Sequence, residues 1–225
     1  MSTPDYIALI RRKSSPDILP GLEHELHDAI QKHDSSAVFL HGDGVEMLSA
    51  IASAASSDAR VDWCVCKTSL ERRSAAETLR SPFRLATLTA FYESVLLARH
   101  VDSWGAGGKS FGTRALASGA SEASHRLLLE VGFAPLDQRQ HRETLEMALG
   151  AAALELDVSV LFFGDGLAHL AGGLAHGWSQ VTDFGLLDIY VEGPIDRFQP
   201  EVAVQRLDTA GAALLRAGAV TILTL

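Results

Sequence analysis

Cysteine is scarce in this sequence of 225 residues, which contains only Cys64 and Cys66. Two cysteines so close together cannot build the disulfide framework of a small secreted domain. Residues 1–15 (MSTPDYIALIRRKSS) also lack the basic segment followed by an apolar one that a secretory signal shows. Both features predict a protein of the reducing cytoplasm.

Long apolar runs and excess positive charge are lacking too. The longest apolar stretches, such as VSVLFFG at 158–164, fall far short of the roughly 18–20 residues that a membrane-spanning helix needs. The formal net charge is −9, which disfavours direct binding to nucleic acid or to an anionic membrane. Hydrophobic residues still make up 47% of the chain, as in a globular protein with a substantial core.

The chain contains an internal repeat. Residues 37–48 (AVFLHGDGVEML) and 159–170 (SVLFFGDGLAHL) share an apolar strand pattern, a Gly-Asp-Gly turn and an apolar helix start. A weaker match in the same order pairs VDWCVC at 61–66 with LDIYVE at 187–192. Two matches in the same order predict a duplicated domain.

Each copy predicts strands that alternate with helices. In the first copy the apolar runs predict strands at 6–10, 37–41, 61–66 and 100–104. The longest helix there is predicted from a stripe formed by Leu85, Leu88, Phe91, Tyr92 and Val95. In the second copy helices are predicted around 145–154 and 202–215. Continuously apolar strands between helices indicate parallel sheets covered on both faces.

The predicted fold class is therefore α/β, with two tandem three-layer α/β/α domains whose sheets are mainly parallel. We expect the domains at residues 4–105 and 126–225, joined by a Gly/Ser/Ala-rich linker at 106–125. The stretch WGAGGKS at 104–110, which leads into this linker, is not predicted to be a phosphate loop, because Ser103 stands where the first glycine is needed. No cofactor is predicted.

The two cysteines end a predicted strand. Cys64 and Cys66 should face the same side of the sheet, with Val65 opposite. A disulfide between them would distort the strand, because positions two apart are about 6.5–7 Å apart and bridged Cβ atoms need about 3.5–4.5 Å. A soft metal held by both thiols and His41 is disfavoured because no fourth ligand is evident.

A helix start is predicted directly after this strand. Thr68 and Glu71 fit a capping box, with Thr68 as the N-cap. Cys66 would then lie at the carboxyl edge of the sheet just before a helix N-terminus, where ligand chemistry gathers and a thiolate is favoured. Lys67, Arg72 and Arg73 add positive charge nearby, although Arg72 and Arg73 alone are typical of a solvated face.

We interpret Cys66 as a partly exposed nucleophile and Cys64 as the more buried thiol. The alternative is that both cysteines only pack, as small hydrophobic residues. At the same sheet edge, His41 is a candidate functional neighbour, as an acid/base or a persulfide contact. Asp43, between two glycines that serve a tight turn, is expected to cap the following helix.

These residues resemble a known family. VCKTSLERR at 65–73 is similar to the conserved-cysteine segment of the DsrE/DsrF/TusCD sulfur-relay proteins. HGDGV and FGDGL resemble the strand-to-helix segment of that family, and residues 82–105 resemble its closing helix and strand. The resemblance covers roughly residues 5–105 and 126–225.

The resemblance implies a sulfurtransferase that carries sulfane sulfur as a persulfide on Cys66. Its donor would be a TusA-like or rhodanese-type protein, and its acceptor a small cysteine carrier. A homo-oligomer, at least a dimer, is implied as well. The destination of the sulfur, tRNA thiolation or sulfur oxidation, is left open.

The second copy departs from the family pattern. Tyr190 and Glu192 stand opposite Cys64 and Cys66, and GPIDRF with Pro194 replaces KTSLERR. This copy therefore resembles a DsrF/TusC-like partner domain without a thiol. Two other functions stay open: a noncatalytic DsrE-like binding scaffold, and a redox sensor in which Cys64 resolves an oxidised Cys66.

Overall fold

We describe the protein from a computed structural model, which covers residues 4–13, 19–55, 58–73, 79, 81–105, 108–110, 126–193 and 200–225. The chain divides into two compact units, Met1–Ala115 and Leu116–Leu225. Within the described ranges, no helix combines the length and apolar character needed to cross a membrane.

The first unit alternates strands and helices. Its elements are β1 (Tyr6–Ile10), α1 (Leu19–Gln31), β2 (Ser36–Leu40), a 3₁₀ segment (Gly42–Met47), α2 (Leu48–Ala55), β3 (Val61–Cys66), α3 (Lys67–Arg72), β4 (Arg84–Ala86), α4 (Leu88–Leu97), β5 (His100–Gly105) and β6 (Gly108–Ser110). The strand order is β4-β3-β2-β1-β5-β6. All neighbours are parallel except β6, which runs antiparallel to β5.

The second unit repeats this plan. Its elements are β7 (Arg126–Val131), α5 (Gln138–Ala152), β8 (Asp157–Phe163), two 3₁₀ segments (Gly164–Leu170 and Gly172–Leu174), α6 (Ala175–Asp183), β9 (Asp188–Glu192), β10 (Gln205–Leu207), α7 (Thr209–Gly218) and β11 (Thr221–Thr224). The order β10-β9-β8-β7-β11 is entirely parallel and matches β4-β3-β2-β1-β5 of the first unit.

Helices cover both faces of each sheet. In the first unit, Trp63 and Val65 share a buried cluster with Leu26 of α1 and Ile51 of α2. On the opposite face, Phe39 of β2 stacks on a ring of α4, with centroids 4.6 Å apart. Burial of these apolar side chains stabilises each layer by roughly 25 cal/mol per Å² removed from water.

In the second unit the same division holds. Leu128 and Leu161 form a buried cluster with Ala212 of α7. On the opposite face, Phe162 packs edge-on against Trp178 of α6, with centroids 4.9 Å apart. The predicted α/β fold with mainly parallel, three-layer domains is therefore confirmed.

Short edge strands were absent from the sequence prediction. Leu85, assigned to the long helix, lies in β4, and α4 begins after Thr87, whose side chain accepts a hydrogen bond from the Ala90 N–H at 3.1 Å. Likewise β10 precedes α7, whose cap is Asp208. Strands of three residues are too short to show a periodic pattern, so the helical stripe was extended across them.

Residues of the predicted linker also take part in the first sheet. Gly108–Ser110 forms β6 against β5. Residues 106–107 and 111–125 of the linker lie outside the described residues, as does the 194–199 segment that contains Pro194.

Candidate functional site

The candidate site lies at the carboxyl edge of the first sheet. Cys66 is the last residue of β3 and the N-cap of α3, with extended backbone angles and no side-chain cap hydrogen bond. The prediction of Thr68 as N-cap is therefore wrong: Thr68 is exposed in the first turn, one residue after Lys67. The strand passes into the helix without the short loop that the capping pattern assumes.

Cys66 is buried at this edge. Its exposed fraction is 2%, compared with 5% for Cys64, and both are free thiols. The prediction of a partly exposed Cys66 is therefore wrong, and so is the order of burial. Because no loop separates β3 from α3, Cys66 stays within the packed layer, beneath a helix whose Ser69 and Leu70 are buried as well.

His41 follows β2 at the same edge. Leu40 pairs with Val65 across β2 and β3, so His41 and Cys66, which follow these two residues, both lie at the carboxyl edge of the sheet. The ring of His41 is 1% exposed, and its Nδ1 atom has no hydrogen-bond partner among the described residues. Burial, followed by the nearby guanidinium groups of Arg11, Arg73 and Arg72, lowers the pKa of His41 well below its usual value. His41 is therefore neutral at pH 7.

Asp43 and Arg73 connect the turn after β2 to the end of α3. The Arg73 guanidinium donates to Asp43 Oδ1 at 2.7 Å and to the Ser69 carbonyl at 3.2 Å. Ser69 Oγ in turn accepts from the Gly42 N–H at 3.0 Å. These three contacts join the segments on either side of His41 and Cys66.

The structure corrects the roles that the sequence predicted for Arg73 and Asp43. The Arg73 side chain is only 3% exposed, so its assignment to a solvated face is wrong, whereas Arg72 is exposed as expected. The 3₁₀ segment is capped by His41 without a side-chain hydrogen bond. The capping role expected of Asp43 is therefore wrong, and its carboxylate pairs with Arg73 instead.

Cys64 faces a different part of the first unit. It lines a cleft of about 310 Å³ between the sheet and α4, together with Phe39, Asp62, Arg84 and Phe91. Arg84 donates to both carboxylate oxygens of Asp62, from Nε at 2.6 Å and from Nη2. Burial, with a further contribution from the Asp62 carboxylate, raises the pKa of Cys64 to about 12.

The equivalent edge of the second unit holds charged residues in place of a thiol. Glu192, which ends β9 as Cys66 ends β3, accepts from Arg216 Nη2 at 2.7 Å. Arg216 Nε also donates to Glu130 at 2.6 Å, and its guanidinium lies over the Phe163 ring, 5.7 Å from the centroid. Two carboxylates and one arginine therefore fill the position of the candidate site.

A buried histidine pair in the second unit was missed from the sequence. The Nδ1 atoms of His141 and His169 lie 3.0 Å apart, so one ring donates a hydrogen bond and the other accepts it. Burial lowers the pKa of His141, which a hydrogen bond with the backbone of Leu174 opposes only in part. The two residues are 28 positions apart, and no local pattern connects them.

The described residues contain no group of three or more His, Cys, Asp or Glu side chains that could hold a metal ion. His24, which is exposed on α1, approaches Asp28 at 3.7 Å.

Comparison with known proteins does not identify a family. No protein-family model matches the chain, and no curated protein matches it. The interpretation of function therefore depends on the residues themselves and on their arrangement.

Proposed function

We propose that this chain is a sulfur carrier of the DsrE-like type, a sulfurtransferase that accepts sulfane sulfur on Cys66 as a persulfide. The observation that carries the proposal is the position of Cys66. It ends an inner strand of a parallel sheet at the carboxyl edge, directly before a helix and at the same edge as a neutral, buried His41. In parallel α/β sheets this edge is where ligands bind and react.

The contrast with Cys64 supports the choice of thiol. Thiolate, not thiol, attacks a sulfane sulfur. With a pKa of about 12, Cys64 is almost entirely protonated at neutral pH. Cys64 also lies beside the ion pair of Asp62 with Arg84, which carries no net charge, whereas Arg11, Arg72 and Arg73 lie near His41 at the edge that Cys66 shares.

A sulfur carrier of this type needs a sulfur donor and a sulfur acceptor. A small cysteine-carrier protein takes the sulfur from Cys66, and the donor is a sulfane-sulfur compound or a TusA-like or rhodanese-type protein. Free thiols persist in a reducing compartment, so the proposal includes a cytoplasmic location. The second unit, with Glu192 in place of a thiol, serves as a structural or docking partner.

Intact-mass spectrometry of the reduced chain after incubation with inorganic polysulfide tests the proposal. We expect a gain of one sulfur atom per chain that a reductant reverses. Cys66→Ser should abolish the gain, because the other thiol, Cys64, stays protonated at neutral pH with its pKa raised to about 12. Cys64→Ser, the matched control, should retain it. Equal loading of the Cys66→Ser chain would contradict the assignment.

A second candidate function is favoured by one observation. Cys66 is 2% exposed, which suits a packing residue of a noncatalytic DsrE-like binding scaffold. The same mass measurement separates the two functions. A chain that gains no sulfur, and whose Cys66 also resists alkylation in the native state, is a scaffold.

A further inference from the structure

The burial of Cys66 restricts the size of a sulfur donor. With 2% of Cys66 exposed, a cysteine presented on the surface of another protein cannot approach Sγ without displacing the surrounding edge. A donor of only a few atoms needs a much smaller opening. After transfer, the outer sulfur of a persulfide lies about 2 Å beyond Sγ, which brings it closer to an acceptor.

Arginines from two segments meet at this edge. Arg11 directly follows β1, its N–H donates to the Trp104 carbonyl at 3.4 Å, and its own carbonyl accepts from the Gly44 N–H at 2.9 Å. Arg73, at the end of α3, donates to Asp43 in the same turn. The end of β1, the turn after β2 and the end of α3 are therefore joined around His41.

Positive groups outnumber carboxylates at this edge, where Asp43 and Glu46 both approach Arg73. Arg11, Arg72 and Arg73 all lie close enough to His41 to lower its pKa. Arg12 interacts with Asp43 and is itself half-buried, and burial lowers its pKa. Four guanidinium groups thus gather at one sheet edge in a chain whose net charge is −9. Guanidinium groups bind oxyanions through charge-assisted hydrogen bonds.

His41 supplies a second, independent observation. Its Nδ1 atom is buried and has no hydrogen-bond partner among the described residues. A buried polar atom without a partner costs free energy unless something bonds to it. Neutral imidazole beside guanidinium groups is a suitable lining for a small polar ligand.

We infer that the carboxyl edge of the first sheet binds a small sulfur oxyanion of the thiosulfate class, which loads Cys66 directly. This inference rests on the proposed function and names its donor. Arg72, the exposed member of the arginine group, contacts the sulfonate oxygens first, and Arg11 and Arg12 hold the anion beside Cys66.

The transfer step balances without a further reactant. The Cys66 thiol releases its proton to the buffer, and its thiolate attacks the outer sulfur of thiosulfate. The Sγ–S bond forms as the bond between the outer sulfur and the sulfonate sulfur breaks, and the electron pair of that bond leaves with sulfite. The products are the Cys66 persulfide anion and one sulfite, with the same total charge as the reactants.

The second unit lacks this capacity. Glu130 and Glu192 occupy the equivalent edge and bind Arg216 between them. Two carboxylates around one arginine leave a net negative charge, which repels an oxyanion. One binding site per chain is therefore expected.

The test uses the full-length reduced chain with two donors in parallel, thiosulfate and inorganic polysulfide. We expect thiosulfate to add one sulfur to Cys66 and to release an equal amount of sulfite, as measured by intact mass and a sulfite assay. Arg72→Gln should slow loading from thiosulfate by about 10-fold, the effect of losing one charge-assisted hydrogen bond. Calorimetry with thiosulfate on a Cys66→Ser chain should show the same loss of affinity.

The matched control is Arg99→Gln, which removes another exposed arginine of the same unit, one that approaches Asp5. It should load from thiosulfate at the wild-type rate. If polysulfide loads Cys66 and thiosulfate does not, the donor inference is overturned and the proposed function stands. If neither donor loads Cys66, both fail. Equal slowing by Arg72→Gln and Arg99→Gln would overturn the binding site in favour of a general charge effect.

Discussion

Two cysteines separated by one residue have different surroundings in this protein. Both side chains lie on the α4 side of β3, because Val61, Trp63 and Val65 belong to the cluster on the other side. Cys66 lies at the carboxyl edge of the sheet, where the arginines gather. Cys64 lies two residues earlier in β3, beside the cleft between the sheet and α4. A separation of two residues along a strand is thus enough to change the charge of the environment.

The high pKa of Cys64 leads to a test of its surroundings. In a Cys66→Ser background, we expect alkylation of Cys64 by iodoacetamide to accelerate about 10-fold per pH unit between pH 8 and 10, because only the thiolate reacts. Asp62→Asn should accelerate it about 10-fold at pH 9, since removing a nearby like charge lowers a pKa by about one unit.

Peptide mass spectrometry of the alkylated chain measures both effects. The matched control is Asp28→Asn, which removes an exposed carboxylate on α1 and should leave the rate unchanged. An Asp62→Asn rate equal to that of the parent would mean that burial alone raises the pKa of Cys64.

At the scale of single elements, the Gly-Asp-Gly turns are the clearest repeated feature. Gly42 and Gly164 have φ angles of 57° and 54°, in the left-handed region that favours glycine. A Cβ atom added to Gly44 would lie 2.1 Å from the Ile10 carbonyl oxygen, and one on Gly166 would lie 2.0 Å from that of Val131. The turn after the second strand therefore presses against the end of the first strand in each unit.

Substitution of either close-packed glycine should destabilise its unit. We expect Gly44→Ala and Gly166→Ala each to lower the free energy of unfolding by about 1–3 kcal/mol or more, because a backbone carbonyl cannot move aside as a flexible side chain can. Urea unfolding measures the loss. Gly173→Ala is the control: no atom lies within 4 Å of its added Cβ, so its stability should change little.

The bounds of the longer strands could be predicted from sequence patterns, whereas those of the shortest strands could not. Strands β1, β2, β3 and β5 carry continuous apolar runs and lie within one residue of their predicted bounds. The three-residue strands β4 and β10 carry no such run and were not predicted. Their hydrogen-bonded pairing with β3 and β9, and not a pattern in their own sequence, makes them strands. The same limit applies to the start of α3, where tertiary packing overrides a capping pattern.

At the scale of the whole molecule, duplication has produced two units with one strand order and different charges. The position of Cys66 is Glu192 in the second unit, and that of Leu9 is Glu130. Arg216 joins these two carboxylates. The second unit thus has an ion-pair network where the first unit has a thiol, on a sheet with the same strand order.

Buried histidines in both units make the whole chain sensitive to acid. The pKa of His41 is lowered well below 6.5, and that of His141 is lowered too, in both cases chiefly by burial. Above about pH 6.5 these rings are neutral in the folded and unfolded states, whereas below it the unfolded chain binds protons that the folded chain does not. The free energy of unfolding should therefore fall as the pH drops below about 6.5, by at most about 1.4 kcal/mol per pH unit for each histidine.

Urea unfolding at pH 7.5 and 5.5, followed by peptide-resolved hydrogen exchange, assigns the loss to each unit. His141→Phe should reduce the pH dependence of the second unit by about one proton and leave that of the first unit unchanged. His176→Phe, at an exposed position, should change neither. A second unit whose stability is independent of pH would contradict the role of the buried pair.

The sequence by itself determined the α/β class, the shared plan of the two units and the position of Cys66 at the end of a strand, because these depend on apolar periodicity and on local motifs that repeat along the chain. Only the tertiary structure decided which side chains are buried and which charges meet. Cys66 is buried because α3 follows β3 directly. Arg73 is buried because it pairs with Asp43, and His141 is buried because it packs against His169. Arg73 and Asp43 are 30 positions apart, and His141 and His169 are 28 positions apart, so their burial depends on contacts that form only in three dimensions.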